Sequence, residues 1–232
     1  MYQTLIQRYE NGTAMVMDQK EGHFHFLGTA FIVHGNGYML TAAHILRDAE
    51  NPILVTSAQP GKFSPLTLET ANAIPVSIAQ RDDARDMALL KMEMDAEIDC
   101  PDDILGNAED ILEGTTVLTF GVSFGHLRIH NVMVMNGMLS AKLISLNETR
   151  LLLFDQSIHP GAKGGPLVNA EDGRIVGMLQ GIFNPLEITH QEIPEDYHLP
   201  SHLSYAVSIE YAKPMLEAEG LSLVNYYSGS ET

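Results

Sequence analysis

The chain has 232 residues, 45% of them hydrophobic and 19% charged, a balance that excludes collagen, coiled coils and intrinsic disorder. Its formal net charge of -17, with no cluster of lysine and arginine, argues against nucleic acid or an anionic membrane as partner. The single cysteine, Cys100, cannot form an intrachain disulfide. The first residues lack a basic stretch followed by an apolar core, which predicts a cytoplasmic location. A periplasmic location stays open if a leader has been removed.

Short apolar runs bounded by turn residues predict a protein built mainly from β-strands. The first two strands flank residues 34–37 (HGNG), where glycine and asparagine favour a tight hairpin. Further strands are predicted at 52–56, 73–78, 87–92, 115–120, 132–135, 151–154, 174–179 and 204–207. Many short strands at close spacing favour a sandwich or a barrel. Residues 208–220 change to a helical period, with Ser208 as a cap and Gly220 as a stop.

Three separated motifs contain the residues best suited to catalysis. Residues 41–44 (TAAH) end an apolar strand with His44, and residues 86–90 (DMALL) begin another with Asp86. Residues 161–167 (GAKGGPL) form a glycine-dense turn that leads into a strand. This chain order, histidine, aspartate and then a turn, is the order in which chymotrypsin-like hydrolases present a general base, its orienting acid and a nucleophile.

On these motifs the chain resembles the trypsin-like serine proteases, and more closely their HtrA (Deg) branch. Residues 28–31 (GTAF), 120–125 (FGVSFG), 155–160 (DQSIHP) and 205–208 (YAVS) resemble other segments of that family. The resemblance implies an all-β fold of two packed six-stranded antiparallel barrels with a short C-terminal helix. The implied divisions of this single protease domain, 1–232, are a first barrel (about 1–110), a second barrel (111–207), a helix (208–220) and a tail (221–232), without a PDZ domain.

The resemblance also assigns a binding site around the glycine-dense turn. The backbone amides of Gly161 and Lys163 are expected to form the oxyanion hole. Ser157, six residues before the nucleophile position, is expected at the floor of the pocket for the side chain that precedes the cleaved bond. The expected pocket wall consists of Met178, Leu179 and Gly181. This set suits an uncharged, apolar side chain.

Lys163 stands where the family has its nucleophilic serine. An ammonium group is not a nucleophile, and an acyl-lysine would be as stable as the peptide bond just broken. Loss of the triad nucleophile costs about a millionfold in turnover. The sequence therefore predicts an inactive protein, with the Lys163 ammonium paired to Asp86 or Asp155.

The leading interpretation is a pseudoprotease that binds a peptide or protein partner or acts as a regulatory subunit. Two alternatives stay open. One is an HtrA-like serine endopeptidase whose nucleophile has been replaced by engineering, and the other is a structural interaction module with a closed cleft. The resemblance leaves open whether the protein assembles as a trimer.

His23 and His25 alternate along one strand. This pattern is interpreted as an exposed face of the strand and not as a metal site, and no cofactor is predicted.

Overall fold

Two closed six-stranded antiparallel β-barrels form most of the protein in the computed structural model, which describes residues 2–56, 63–67, 72–94, 98–185 and 202–221. A helix, α1 (Gln3–Asn11), precedes them. The first barrel contains β1 (Thr13–Lys20), β2 (His23–His34), β3 (Tyr38–Ala42), β4 (Pro52–Thr56), β5 (Ala73–Asp82) and β6 (Met87–Met92). These strands close in the order β1-β2-β3-β6-β5-β4.

The second barrel repeats this strand order. It contains β7 (Thr116–Gly121), β8 (Met133–Ile144), β9 (Arg150–Phe154), β10 (Pro166–Asn169), β11 (Ile175–Ile182) and β12 (Ser204–Ser208). A short 3-10 helix (Ile209–Tyr211) leads into α2 (Ala212–Ala218). The predicted all-β fold with a short C-terminal helix is therefore confirmed.

Alternation along the strands gives each barrel an inner and an outer face. On β1, Ala14 and Val16 join Leu54 and other residues in the main hydrophobic core. Their neighbour Met15 instead packs with Ile53 in a separate apolar cluster on the outer side of the barrel. Because side chains alternate between the two faces of a strand, a barrel that buries both faces needs apolar residues in continuous runs.

Helix α1 is an element that sequence reasoning did not predict. Its sequence is mostly polar, and Tyr9 is its only buried residue. The Tyr9 hydroxyl donates a hydrogen bond to the carbonyl of Gly173 at 2.7 Å, which attaches the helix to the turn between β10 and β11. Within the described ranges, no helix has the length and apolar character needed to cross a membrane.

The glycine-dense turn of the second barrel docks directly on β2 of the first. The hydroxyl of Thr29 donates to the carbonyl of Gly161 and accepts from the amide of Val122, both at 2.9 Å. The amide of Thr29 donates to the carbonyl of Lys163 at 2.9 Å. Gly164 has a φ of +81°, and a Cβ at this position would lie 2.3 Å from the carbonyl oxygen of Thr29. Glycine is therefore required for the two barrels to approach this closely.

Candidate active site

His44 and Asp86 form a hydrogen-bonded pair at adjacent strand ends. A 3-10 helix (Ala43–Leu46) that follows β3 carries His44, and Asp86 immediately precedes β6. One carboxylate oxygen of Asp86 accepts from the backbone amide of His44 at 2.7 Å, and the other lies 2.6 Å from its Nδ1. The carboxylate thus fixes the ring and leaves Nε2 directed away from it. This is the orientation that a general base has in a serine hydrolase.

The backbone at Asp86 is built for this contact. Its φ of +54° is in the left-handed region, which aspartate tolerates better than most residues. The amide of Ala43 donates to the carbonyl of Asp86 at 3.1 Å. Gln180, on β11 of the second barrel, donates from Nε2 to the same carbonyl at 3.3 Å. Sequence reasoning missed Gln180. A polar residue within the otherwise apolar run 175–182 was the available signal, and the structure shows that this residue is buried.

Lys163 lies where the turn of the second barrel meets the first barrel. It follows a 3-10 helix (Pro160–Ala162) and is half-buried. Its Cε would lie 3.6 Å from a Cβ built on Gly181, so the alkyl chain extends along that part of β11. The side chain therefore occupies the pocket wall that the sequence assigned to Gly181.

The expected ion pair of Lys163 with Asp86 or Asp155 does not occur. Both carboxylate oxygens of Asp86 bind His44, and one oxygen of Asp155 accepts from the amide of Met138 at 2.5 Å. No hydrogen bond or ion pair connects the Lys163 ammonium with another residue in the part of the chain that the structure describes. Both carboxylates that were expected to pair with Lys163 therefore have other donors.

The two amides expected to form the oxyanion hole are hydrogen-bonded inside their own turn. The amide of Gly161 donates to Nδ1 of His159, and the amide of Lys163 donates to the carbonyl of Pro160, each at 3.2 Å. Burial, and next the neighbouring ring of His126, lower the pKa of His159, which favours the neutral form that can accept this bond. In this conformation, the turn does not direct both amides toward a common oxygen atom.

The other residues that the sequence assigned to the substrate pocket differ in their exposure. Ser157 is exposed on the segment that follows β9. The side chains of Met178 and Leu179 are fully buried, and each packs in a different hydrophobic cluster. Their side chains face the interior, so Gly181, beside the alkyl chain of Lys163, is the one expected wall residue of the three that is not fully enclosed in a hydrophobic cluster.

His23 and His25 are exposed at the beginning of β2, as the strand pattern predicts. Among the described residues, no group of three or more histidine, cysteine, aspartate or glutamate side chains is placed to hold a metal ion. The pair therefore lacks a third ligand in this part of the structure.

Residues 28–178 match the trypsin-like peptidase domain family, and the chain belongs to that family. It is 34% identical over 160 residues to a probable periplasmic serine endoprotease, DegP-like, of Pseudomonas fulva (strain 12-X), covering 68% of this chain and 29% of that protein. It is 30% identical over 166 residues to the magnetosome formation protease MamE of Magnetospirillum gryphiswaldense, covering 68% and 19%. The chain thus spans less than a third of the length of these curated relatives.

Solved HtrA-type structures share the fold. The HtrA-type protease AlgW with a decapeptide superposes with a TM-score of 0.67 and 21% identity, covering 94% of this chain and 67% of that one. A serine endoprotease from Yersinia pestis superposes with a TM-score of 0.65 and 20% identity, covering 94% and 66%. At these identities the likeness establishes the two-barrel architecture.

The predicted cytoplasmic location is wrong. Relatives of this chain are described as periplasmic endoproteases, which points to the periplasm. The prediction rested on two properties. A single cysteine shows that the chain has no intrachain disulfide, and the pattern of the first residues describes one stretch of the sequence. Neither property identifies a compartment.

Proposed function

We propose that this chain is an HtrA-like pseudoprotease, which does not hydrolyse peptide bonds and binds an extended peptide or protein segment in the cleft between its barrels. The observation that carries the proposal is Lys163 at the nucleophile position, with its alkyl chain along Gly181. A relative that is described as a periplasmic serine endoprotease supports a periplasmic location for this protein.

The absence of catalysis follows from the chemistry around Lys163. His44 is oriented to accept a proton, but the nucleophile position supplies an ammonium group in place of a hydroxyl. The amides of Gly161 and Lys163 are bonded to His159 and Pro160, so they cannot stabilise an oxyanion in this conformation. Nucleophile and oxyanion hole are therefore both missing.

The strand pairing of β11 supports binding of an extended segment. β10 pairs with β11 only as far as Met178, whereas β12 continues along its other side to Ile182. Gly181 and Ile182 thus have a strand partner on one side only in the described structure. A peptide can add to such an edge through main-chain hydrogen bonds. A protease that has lost its nucleophile can keep this binding edge.

A serine endopeptidase silenced at one position is the second candidate. It is favoured by the intact geometry of His44 and Asp86 and by relatives that are named as endoproteases. The structural module with a closed cleft is the third, because the alkyl chain of Lys163 covers part of the β11 edge.

Restoring the hydroxyl separates the first two candidates. Lys163→Ser is tested by fluorophosphonate labelling and casein cleavage, with Lys163→Ala and the double variant His44→Ala/Lys163→Ser as controls. Because an unformed oxyanion hole costs about 10²- to 10³-fold, we expect Lys163→Ser to stay at least about 100-fold below an active HtrA-type protease. Labelling and cleavage at full protease rates that depend on His44 would establish the silenced endopeptidase instead.

Binding is tested with unfolded, carboxymethylated casein as a generic extended chain. We expect Gly181→Phe to weaken casein binding about tenfold, which corresponds to about 1.4 kcal/mol, because its side chain would obstruct the edge of β11. Ser140→Phe is the matched control, because Ser140 is exposed on β8, a strand that does not pair with β11. If neither the original chain nor Lys163→Ala binds casein, the module with a closed cleft is the correct reading.

A further inference from the structure

A cavity of about 810 Å³ lies beside the first barrel, and neither His44 nor Asp86 is among its lining residues. Its walls come from β1, β2 and the turn between them, from β4 and the start of β5, and from the segment that follows β7. Its lining residues are Met15, Met17, Gly22, His23, Phe24, His25, Phe26, Ile53, Val55, Ala73, Gly125, His126, Arg128 and His130. A cavity of this volume is within the range that holds small ligands.

The floor of the cavity is the apolar outer face of the first barrel. Met15 and Met17 of β1 lie opposite Val55 and Ile53 of β4 in the sheet. Methionine side chains are flexible and adapt to linear apolar ligands. Since β1 is already paired with both β2 and β4, its backbone has no open edge to which a peptide could add. The floor therefore favours a ligand without a peptide backbone.

His130 lines the cavity and carries an unpaired, buried imidazole. The residue is only 2% exposed, and neither of its ring nitrogens, both shielded from solvent, has a hydrogen-bond partner among the residues that the structure describes. Buried polar groups are normally paired, since leaving one unpaired is costly. A ligand that accepts a hydrogen bond from the imidazole would remove this cost.

The charge of the lining residues indicates the sign of that ligand. Among the residues that the structure describes, the lining includes Arg128 and four histidines but no aspartate or glutamate, although the chain as a whole carries a net charge of -17. Such a set of lining residues in so acidic a protein favours an anion.

We propose that this cavity binds a linear amphiphile with one carboxylate head and an unbranched apolar chain. On binding, the His130 ring turns so that its N–H donates one hydrogen bond to the carboxylate, which also faces Arg128, while the chain lies along Met15, Met17 and Ile53. The site is separate from the peptide-binding edge of β11, so either proposal can fail without the other.

The test uses the full chain and dodecanoate, titrated by calorimetry below its micelle concentration. We expect one molecule to bind per chain. His130→Leu should weaken binding at least tenfold, and Arg128→Gln severalfold. Arg128 is exposed, so that variant folds even if the other does not. His202→Leu, at an exposed histidine that does not line the cavity, is the matched control and should bind like the original chain.

Three further probes test the charge of the ligand, the location of the site and the contact with His130. Dodecyltrimethylammonium has the same chain with the opposite charge and should not compete. Gly181→Phe should leave dodecanoate binding unchanged. Histidine ¹⁵N spectra should show a dodecanoate-dependent shift of the His130 resonances. The proposal is overturned if dodecanoate does not bind, if His130→Leu and Arg128→Gln bind it normally, or if an apolar peptide with a free carboxyl terminus binds there in its place.

Discussion

At the scale of single residues, the functional positions are those where the chain departs from ordinary preferences. Asp86 takes a left-handed backbone conformation and places both carboxylate oxygens on His44. Lys163 puts a long cationic side chain at the position where the sequence predicts the family's nucleophilic serine. His130 buries an imidazole that has no hydrogen-bond partner among the described residues. Such departures are expected at sites under functional and not structural selection.

Replacing His130 should stabilise the protein in the absence of a ligand. His130→Leu removes an unpaired buried polar group and keeps a similar volume, so we expect the free energy of unfolding at pH 7.5 to rise by about 1–2 kcal/mol. Urea denaturation followed by circular dichroism measures this change. An unchanged or lower value would show that the imidazole makes a favourable interaction.

The same variant should change the response to pH. Burial lowers the pKa of His130 below its ordinary value. The unfolded chain therefore binds a proton at a pH where the folded protein does not, and the free energy of unfolding falls as the pH drops below about 6.5. Between pH 7.5 and 5.5, His130→Leu should lose less stability than the original chain. Ser140→Ala, at an exposed position and with no change in ionisable groups, should show the original slope.

At the scale of elements, the glycine-dense turn and α1 show how short segments depend on distant partners. The 3-10 helix (Pro160–Ala162) is closed by His159 and Pro160 from its own segment, but it is held in place by Thr29 of the other barrel. Helix α1 has few apolar residues and is attached through Tyr9 and through Leu5 and Ile6, which pack against the main hydrophobic core. Neither element would be stable in isolation.

Helix α1 should loosen when its hydrogen bond to the second barrel is removed. Tyr9→Phe leaves the carbonyl of Gly173 without this buried donor, and we expect a loss of about 1–2 kcal/mol in the free energy of unfolding. Amide exchange in α1 should accelerate more than exchange in the barrels. Tyr2→Phe, just before the helix, should change neither quantity, and equal effects of the two variants would contradict this account.

At the scale of the whole molecule, the two barrels form one unit through the contacts around Thr29. This fully buried residue bonds Gly161 and Val122 through its side chain and Lys163 through its backbone. Gln180 adds a bond from the second barrel to Asp86 of the first. The candidate active site therefore exists only where the barrels are docked.

Removing the hydroxyl of Thr29 should weaken this docking. Thr29→Val keeps the shape but leaves the carbonyl of Gly161 and the amide of Val122 unpaired, at a cost of about 3 kcal/mol in the free energy of unfolding. Thr29→Ser, which keeps the hydroxyl, should lose about 1 kcal/mol for the missing methyl group. Urea denaturation followed by circular dichroism and tyrosine fluorescence should give coincident transitions. Two separate transitions in the original chain would show that the barrels fold independently.

The strands were predictable where apolar residues form continuous runs between turn residues. β4 (Pro52–Thr56) and β6 (Met87–Met92) have the predicted bounds. β8 (Met133–Ile144) is much longer than the predicted 132–135, because its later residues are largely exposed and polar residues interrupt the pattern. Helix α1 was missed because its sequence is mostly polar and because Leu5, Ile6 and Tyr9 hold it through contacts with distant parts of the chain.

The sequence by itself determined that the chain is built from many short strands, that a histidine and an aspartate precede a glycine-dense turn, and that Lys163 supplies no hydroxyl; its resemblance to the trypsin-like serine proteases implied the two barrels. These properties depend on residue identity and on local patterns, which are present in the order of the residues. Only the tertiary structure decided where the lysine side chain lies, that the amides of Gly161 and Lys163 are bonded within their turn, and that Gln180 and His130 belong to candidate sites. These depend on atoms brought together from distant parts of the chain, whose distances no local pattern specifies.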